Sequence, residues 1–355
     1  MLFEGIHIPL ATPFYPDGRL NLRKLEHNVR RYSLTPASGL IALGTNSEAA
    51  SLSTSERIEV LQIVGSEAAK EKVLTAGIGL PSVRESIALA VAAAAARFDA
   101  VLLAAPLQYM QQLWTDGNAT QACATYFEAI ADASPLPVML HSDAGRVALP
   151  LALLERLAAH HNIIGLLDET SHVSRVSQVR AATAGVARTA VTTITFTAAT
   201  GRMLAVDEPA AVVAGSFVSA SSLAGGVALA TAPPAPTLKT RTKQVGFQVI
   251  WATAQDAGAA LRAGASALSM PLATAVPQSA FEVWAAWKDG DPKLLVGKEE
   301  RLARAEQGIA GHDLPAIKAA SELSGYFGGR PRLPLLPVTA QRAAEIARLL
   351  QNMNS

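Results

Sequence analysis

The sequence predicts an α/β fold: a closed (β/α)8 (TIM) barrel followed by a C-terminal helical domain and interrupted by one inserted segment. Three observations predict it. Short β-branched or leucine-rich runs alternate with alanine-rich helical stretches along the chain. Eight of those runs are predominantly apolar, as strands of a parallel sheet buried on both faces are expected to be. The 355 residues leave a surplus beyond the roughly 250 that α/β barrels commonly use, and the surplus falls in one block.

Taken in order, the strands are expected near Ile6–Leu10, Leu40–Leu43, Val73–Gly77, Ala100–Ala104, Val138–His141, Ile163–Leu167, Phe247–Ala252 and Ala267–Met270. Helical patterns follow at Ser279–Lys288, Lys293–Gly308, Leu314–Leu323 and Ala340–Gln351. The barrel is therefore assigned to residues 1–277 and the helical domain to 278–355. The surplus block is 186–244, between the sixth helix and the seventh strand. Its first half, Thr189–Thr197 and Arg202–Val206 around Thr200-Gly201, alternates like a hairpin, and Ala230–Thr242 with Pro233, Pro234 and Pro236 reads as an extended linker. A helix-to-strand connection lies at the pole opposite the face where barrel enzymes place their active sites, which favours a surface appendage or subunit contact over a lid.

Composition narrows the partners. The net charge is +1 with Lys and Arg dispersed, so neither nucleic acid nor a membrane surface is indicated, and a small molecule is the default ligand. Cys123 is the one cysteine, which excludes an internal disulfide and a thiolate metal cluster and fits a reducing cytoplasm. No secretion signal is visible at the N-terminus. The most membrane-like run, Ile87 to Ala96, is ten residues long, well short of the roughly 20 that span a bilayer. Gly77-Ile78-Gly79 lacks a third glycine at the spacing of a dinucleotide loop, and no cofactor is expected.

Several motifs together carry a family resemblance. They are Gly5-Ile6-His7-Ile8-Pro9-Leu10-Ala11-Thr12-Pro13-Phe14, Gly44-Thr45-Asn46-Ser47-Glu48-Ala49, Leu52-Ser53-Thr54-Ser55-Glu56-Arg57, Ala104-Ala105-Pro106, Leu136-Pro137-Val138-Met139-Leu140, Gly145-Arg146 and Arg332-Leu333-Pro334-Leu335-Leu336-Pro337. In that order they resemble the dihydrodipicolinate synthase / N-acetylneuraminate lyase family of class I aldolases and hydro-lyases. The resemblance implies the barrel, the C-terminal helices, a homodimer or homotetramer, and a small carboxylated, 2-oxo acid-like ligand. It also implies a chemistry, in which a lysine ending the sixth strand forms an iminium that lets the adjacent carbon be deprotonated or cleaved.

At that position stands Leu167, in Asn162-Ile163-Ile164-Gly165-Leu166-Leu167-Asp168-Glu169. None of the nine lysines lies inside or just after a candidate strand; Lys72 and Lys243 precede strands, and Lys239 lies in the insert. The family's relay tyrosine on the fifth strand aligns with His141, and the tyrosine given by a neighbouring subunit aligns with Gln108, one step from Tyr109. Thr45 matches the relay threonine, while Asn46 and Ser47 replace residues of the turn that holds the substrate carboxylate. Glu48 matches a family glutamate and reads as a turn and helix-start residue.

His141, Asp168 and Thr45 are thus the expected catalytic residues, His141 because imidazole titrates near neutrality where a tyrosine once relayed protons. Thr45, Asn46, Ser47, Arg146, Leu167, Gln108 and Tyr109 are expected to bind substrate, with Arg146 anchoring its carboxylate. A metal held by His141, Asp168, Glu169 and His172 is the minority reading, since adjacent acids on a strand point to opposite faces. Three functions stay open: a lyase-like enzyme working by acid–base chemistry without an iminium, a non-catalytic member binding a ligand or partner, and a Schiff-base aldolase or hydro-lyase with a relocated lysine.

Overall fold

The computed structural model describes residues 1–106, 119–143, 148–205, 238–309, 313–351 and 353. Eight strands close a parallel barrel in the order β1-β10-β9-β6-β5-β4-β3-β2. They are β1 (Gly5–Pro9), β2 (Gly39–Ala42), β3 (Val73–Gly77), β4 (Ala100–Ala104), β5 (Val138–Ser142), β6 (Ile163–Asp168), β9 (Gln248–Trp251) and β10 (Ala267–Leu268). Neighbouring strands run parallel, with His141 level with Leu167 and Leu167 level with Ile250.

Strand pleating divides the core in two. Ile41, Val73, Leu102, Met139, Leu167 and Ile250 form one buried cluster that fills the barrel, while a larger cluster lies between the strands and the surrounding helices. Close packing inside the barrel fixes Gly165, because a Cβ there would stand 2.5 Å from the Gln248 carbonyl oxygen and 2.8 Å from Met139 Sδ.

The helix α2 (Thr54–Glu67) opens with a capping box: Glu56 N–H donates to Ser53 Oγ at 3.2 Å and Ser53 N–H to Glu56 Oε2 at 2.9 Å. That carboxylate also takes a two-pronged ion pair from Arg332, at 2.6 and 2.9 Å. After β10 come four helices at Pro277–Lys288, Pro292–Ile309, Leu314–Leu323 and Ala340–Gln351. They are tied to the barrel's C-terminal pole by Lys318, whose ammonium is buried against the Glu48 carboxylate. Glu48 also accepts the Arg332 backbone N–H at 2.8 Å. Its task is therefore to join the helical domain to the turn after β2, and the helix-start role belongs to Ser53 and Glu56. Among the described residues no helix is long and apolar enough to cross a membrane.

Between β6 and β9 a separate two-stranded antiparallel sheet pairs β7 (Arg188–Thr193) with β8 (Thr240–Val245). This corrects the expected hairpin. Of the expected second strand, Arg202–Val206, the described part does not pair with β7: Gly201–Leu204 is a short helix capped by Thr200, Val206 lies outside the described residues, and the partner comes from the end of the proline-rich stretch, whose first part also lies outside them. Alternation alone could not distinguish the two, because pairing depends on which segment returns to the same place. The sheet sits at the N-terminal pole. Gly201 N–H donates to Asp99, which opens β4, at 2.8 Å; Arg188 donates to Ala158 and His160 before β6; and Lys243 pairs with Glu4 before β1.

Removing one member of a buried ion pair strands the other charge, a loss of about 3–5 kcal/mol. Both side chains of the Glu48–Lys318 pair are 1% exposed. Glu48→Ala is expected to lower unfolding stability by about that amount, and the double change Glu48→Leu with Lys318→Met by much less, as read by urea denaturation. Equal losses in both proteins would remove the pair from this role.

Candidate active site

Strand parity decides what faces the pocket. Leu167 belongs to the interior cluster, so Glu169, two residues on, faces the same way and Asp168 faces out. Asp168 is fully buried on that outer side, where its carboxylate takes Arg175 Nε at 3.1 Å and the Thr170 N–H at 3.1 Å. The expectation that Asp168 exchanges protons in the pocket is corrected: its carboxylate is committed to Arg175, and Glu169 is the inward acid. Sequence could have shown this, since the lysine position and Glu169 share a face by the two-residue period.

Glu169 Oε1 accepts a hydrogen bond from Thr45 Oγ1 at 2.6 Å and lies 3.2 Å from His141 Nε2. Three elements bring these groups together: the turn after β2, the end of β5 and the residue after β6. The turn is a 3-10 segment, Thr45–Ser47, bracketed by two non-glycine residues in left-handed conformations, Leu43 (φ 55°) and Glu48 (φ 52°). Such backbone costs energy and persists where surrounding contacts hold it. Here Lys318 and the Arg332 backbone hold Glu48.

Two cavities adjoin the group. One of about 380 Å³ opens at the C-terminal pole and is lined by Thr45, Arg57, Leu80, Leu102, His141 and Asp143, among others. The other, about 10 Å³, lies at the barrel axis against Thr45, Leu102, Leu167 and Glu169. The axial space holds about one water, so Leu167 and Glu169 fill what is left of the barrel mouth.

Other expected site residues are placed differently. Asn46 and Ser47 are each 1% exposed and turn away from both cavities. Asn46 Nδ2 donates to the Pro271 carbonyl at 2.9 Å and Thr274 Oγ1 at 2.7 Å, and Ser47 Oγ donates to the Gly44 carbonyl at 2.6 Å. Their side chains brace the turn, and neither residue lines either cavity. Leu167 lines the axial space, not the larger cavity. Gln108, Tyr109 and Arg146 lie outside the described residues. Among the described residues no group of three or more His, Cys, Asp or Glu is placed to hold a metal ion, and Asp168 is turned out of the set His141, Glu169 and His172.

Residues 2–186 match the model of the dihydrodipicolinate synthetase family. Across 348 residues the chain is 26% identical to a 4-hydroxy-tetrahydrodipicolinate synthase from Acidiphilium cryptum, an alignment covering 97% of this chain and 96% of that protein. It is 35% identical over 174 residues to an L-threo-3-deoxy-hexylosonate aldolase from Hypocrea jecorina, covering 45% of this chain and 52% of that one. Among solved structures it superposes with a TM-score of 0.76, at 21% identity and over 100% and 99% of the two chains, on YagE, an E. coli K12 prophage protein of the dihydrodipicolinic acid synthase family in complex with pyruvate. The Bacillus anthracis dihydrodipicolinate synthase DapA-2 gives 0.74 at 22% identity, over 99% of both chains.

One group near the site carried no sequence signal. Glu306, on the helix Pro292–Ile309, is buried behind the loops after β9 and β10, where it accepts the Ala254 N–H at 2.6 Å and the Leu272 N–H at 3.3 Å. Burial, with a smaller push from Glu169, raises its carboxyl from 4.5 to about 7. The folded chain therefore keeps a proton that the unfolded chain releases above pH 4.5. Its stabilising share is complete below the unfolded value and is lost as pH rises through the folded one, on the order of 3 kcal/mol in total. Glu306→Gln, which imitates the neutral acid, is expected to flatten this fall when urea unfolding is compared at about pH 5 and pH 8. A wild-type slope retained in the variant would assign the dependence elsewhere.

Proposed function

We propose that this chain, which belongs to the dihydrodipicolinate synthetase family, is a lyase-like enzyme acting on a small carboxylated, 2-oxo acid-like compound by acid–base chemistry without an iminium. The observation that carries the reading is the line Thr45–Glu169–His141, whose two ends line the larger cavity, with Glu169 Oε1 2.6 Å from one partner and 3.2 Å from the other. His141 lines the cavity and is the group that takes a proton from the carbon beside the ligand's carbonyl. The electron pair left on carbon moves into the carbonyl as an enolate. Glu169 stabilises the imidazolium so formed, and Thr45 fixes the carboxylate that does so. In an elimination the same imidazolium returns its proton to the departing oxygen, so one residue serves both halves of the reaction.

Lysine placement supports the absence of an iminium. Among the described residues no lysine lines either cavity. Lys318 is buried against Glu48, Lys72 donates to the Thr35 and Ala37 carbonyls at 2.8 and 2.9 Å, and Lys239 is exposed at the foot of the strand that packs at the opposite pole. A second reading, ligand binding without turnover, is favoured by one feature: the axial space measures about 10 Å³. The proposal extends to a cytoplasmic homodimer or homotetramer, on the strength of the family likeness.

Proton abstraction is observable without knowing the product. In D2O, a panel of 2-oxo acids followed by 1H NMR is expected to show exchange at the carbon beside the carbonyl. Transfer by a positioned group is worth about 10²–10⁴-fold, so His141→Asn is expected to slow exchange by at least about a hundredfold while its thermal unfolding stays near wild type. No exchange with any member of the panel would move the assignment to the binding reading.

Borohydride reduction in the presence of pyruvate is expected to leave the intact mass unchanged. A stoichiometric adduct on any lysine would overturn the mechanism. Leu167→Lys is expected to restore trapping far more readily than turnover, because a desolvated amine can be nucleophilic while the relay around it still holds His141 and Glu169.

A further inference from the structure

We infer that Arg57 anchors a second anionic group of the ligand, so that the compound held in the larger cavity is a dicarboxylate with its reacting end at His141 and its far carboxylate on the guanidinium. The inference rests on the cavity proposed above as the working site and deepens it by naming the ligand's charge pattern. Arg57, in the first turns of α2, lines the same 380 Å³ cavity as His141. Its Nε and Nη2 both donate to the Ala49 carbonyl, at 3.3 and 2.8 Å, which sets the plane of the guanidinium. Nη1 has no hydrogen-bond partner among the described residues.

Charge accounting around the cavity singles this residue out. The half-buried Arg57 forms no ion pair among the described residues. Glu56, its chain neighbour, is committed to Arg332, and Glu85 acts on it only at longer range. Glu48, on the cavity wall, is neutralised by Lys318. Among the described lining residues Arg57 is the one arginine or lysine, set beside apolar walls of Leu43, Leu80, Leu102, Leu314 and Leu335. Burial lowers its pKa, outweighing the opposing pull of Glu85 and Glu56, as expected of a cation withdrawn from water without a direct ion pair. A guanidinium in that state takes a carboxylate with good geometry, because its planar donors match the two oxygens.

An independent observation gives the ligand its direction. Leu167 and Glu169 leave about 10 Å³ on the barrel axis, so a molecule reaching His141 has to extend sideways within the larger cavity, whose wall includes Arg57. A volume of 380 Å³ lies within the usual range for small-molecule sites, about 300–1,000 Å³.

Isothermal titration of the full chain with 2-oxoglutarate and 2-oxoadipate, each beside the ester that removes only the distal charge, tests the inference. Wild type is expected to bind the diacids at least about tenfold more tightly than the esters, a charge-assisted contact being worth that or more. Arg57→Gln should bring acid and ester to equal affinity, and Arg57→Lys should keep part of the preference, with thermal unfolding showing that both variants fold. His141→Asn should keep the whole preference, so a failure of the catalytic reading is distinguishable from a failure of this one. The inference is overturned if the acid-to-ester ratio survives in Arg57→Gln, if Arg57→Lys shows the preference unchanged while Arg57→Gln is unfolded, or if wild type binds neither diacid.

Discussion

The ion pair between Asp168 and Arg175 is the contact on which the site's arrangement depends. Asp168 closes β6 on the outer face of the barrel, fully buried, and a carboxylate there is tolerable only because Arg175 and the Thr170 N–H meet it. Once that side chain is held outward, the two-residue period of the strand leaves no choice for its neighbours. Leu167 and Glu169 both enter the barrel mouth, one apolar and one acidic, and together they close the axial space. The chemistry available at the pole follows from which side of one strand a carboxylate is pinned to.

A second constraint reaches the site from the helical domain. The turn after β2 carries Thr45, and it keeps a left-handed Glu48 because that carboxylate is gripped by Lys318 from the helix Leu314–Leu323 and by the Arg332 backbone. Arg332 in turn reaches Glu56 at the start of α2, the helix that also carries Arg57. The C-terminal region, through Lys318 on a helix and Arg332 in the segment after it, thus braces both the turn after β2 and the start of α2. Asn46 and Ser47, polar residues that face a ligand by simple counting, are spent on holding the same turn to Pro271, Thr274 and Gly44.

Placing an acid where the family's amine would approach changes what the scaffold can stabilise. An iminium draws electrons from the neighbouring carbon through a covalent bond. In the proposed mechanism a histidine beside a carboxylate supplies the base instead, and the developing negative charge is left to the ligand's own carbonyl and the cavity wall. On the reading proposed above, such a site has less driving force at carbon and no requirement for a free amine, and it suits ligands whose carbon acid is already activated.

Much of this was legible in the sequence. Predominantly apolar runs locate all eight barrel strands to within a few residues, since burial on both faces favours that pattern, and the substituted lysine position is visible as Leu167 at the end of one of them. The roles of His141 and Thr45 as inward groups near Leu167 were also readable, because strand ends at one pole converge in a closed barrel. Asp168 was misassigned although strand parity alone would have sent it outward. Only the tertiary structure decided the rest. The partner of β7 is a segment nearly fifty residues further on, the charge on Glu48 is answered from residue 318, and Glu306 meets loops from two distant strands. Each depends on where the closed chain brings remote segments together, and local periodicity records which face of an element is buried but not what lies against it.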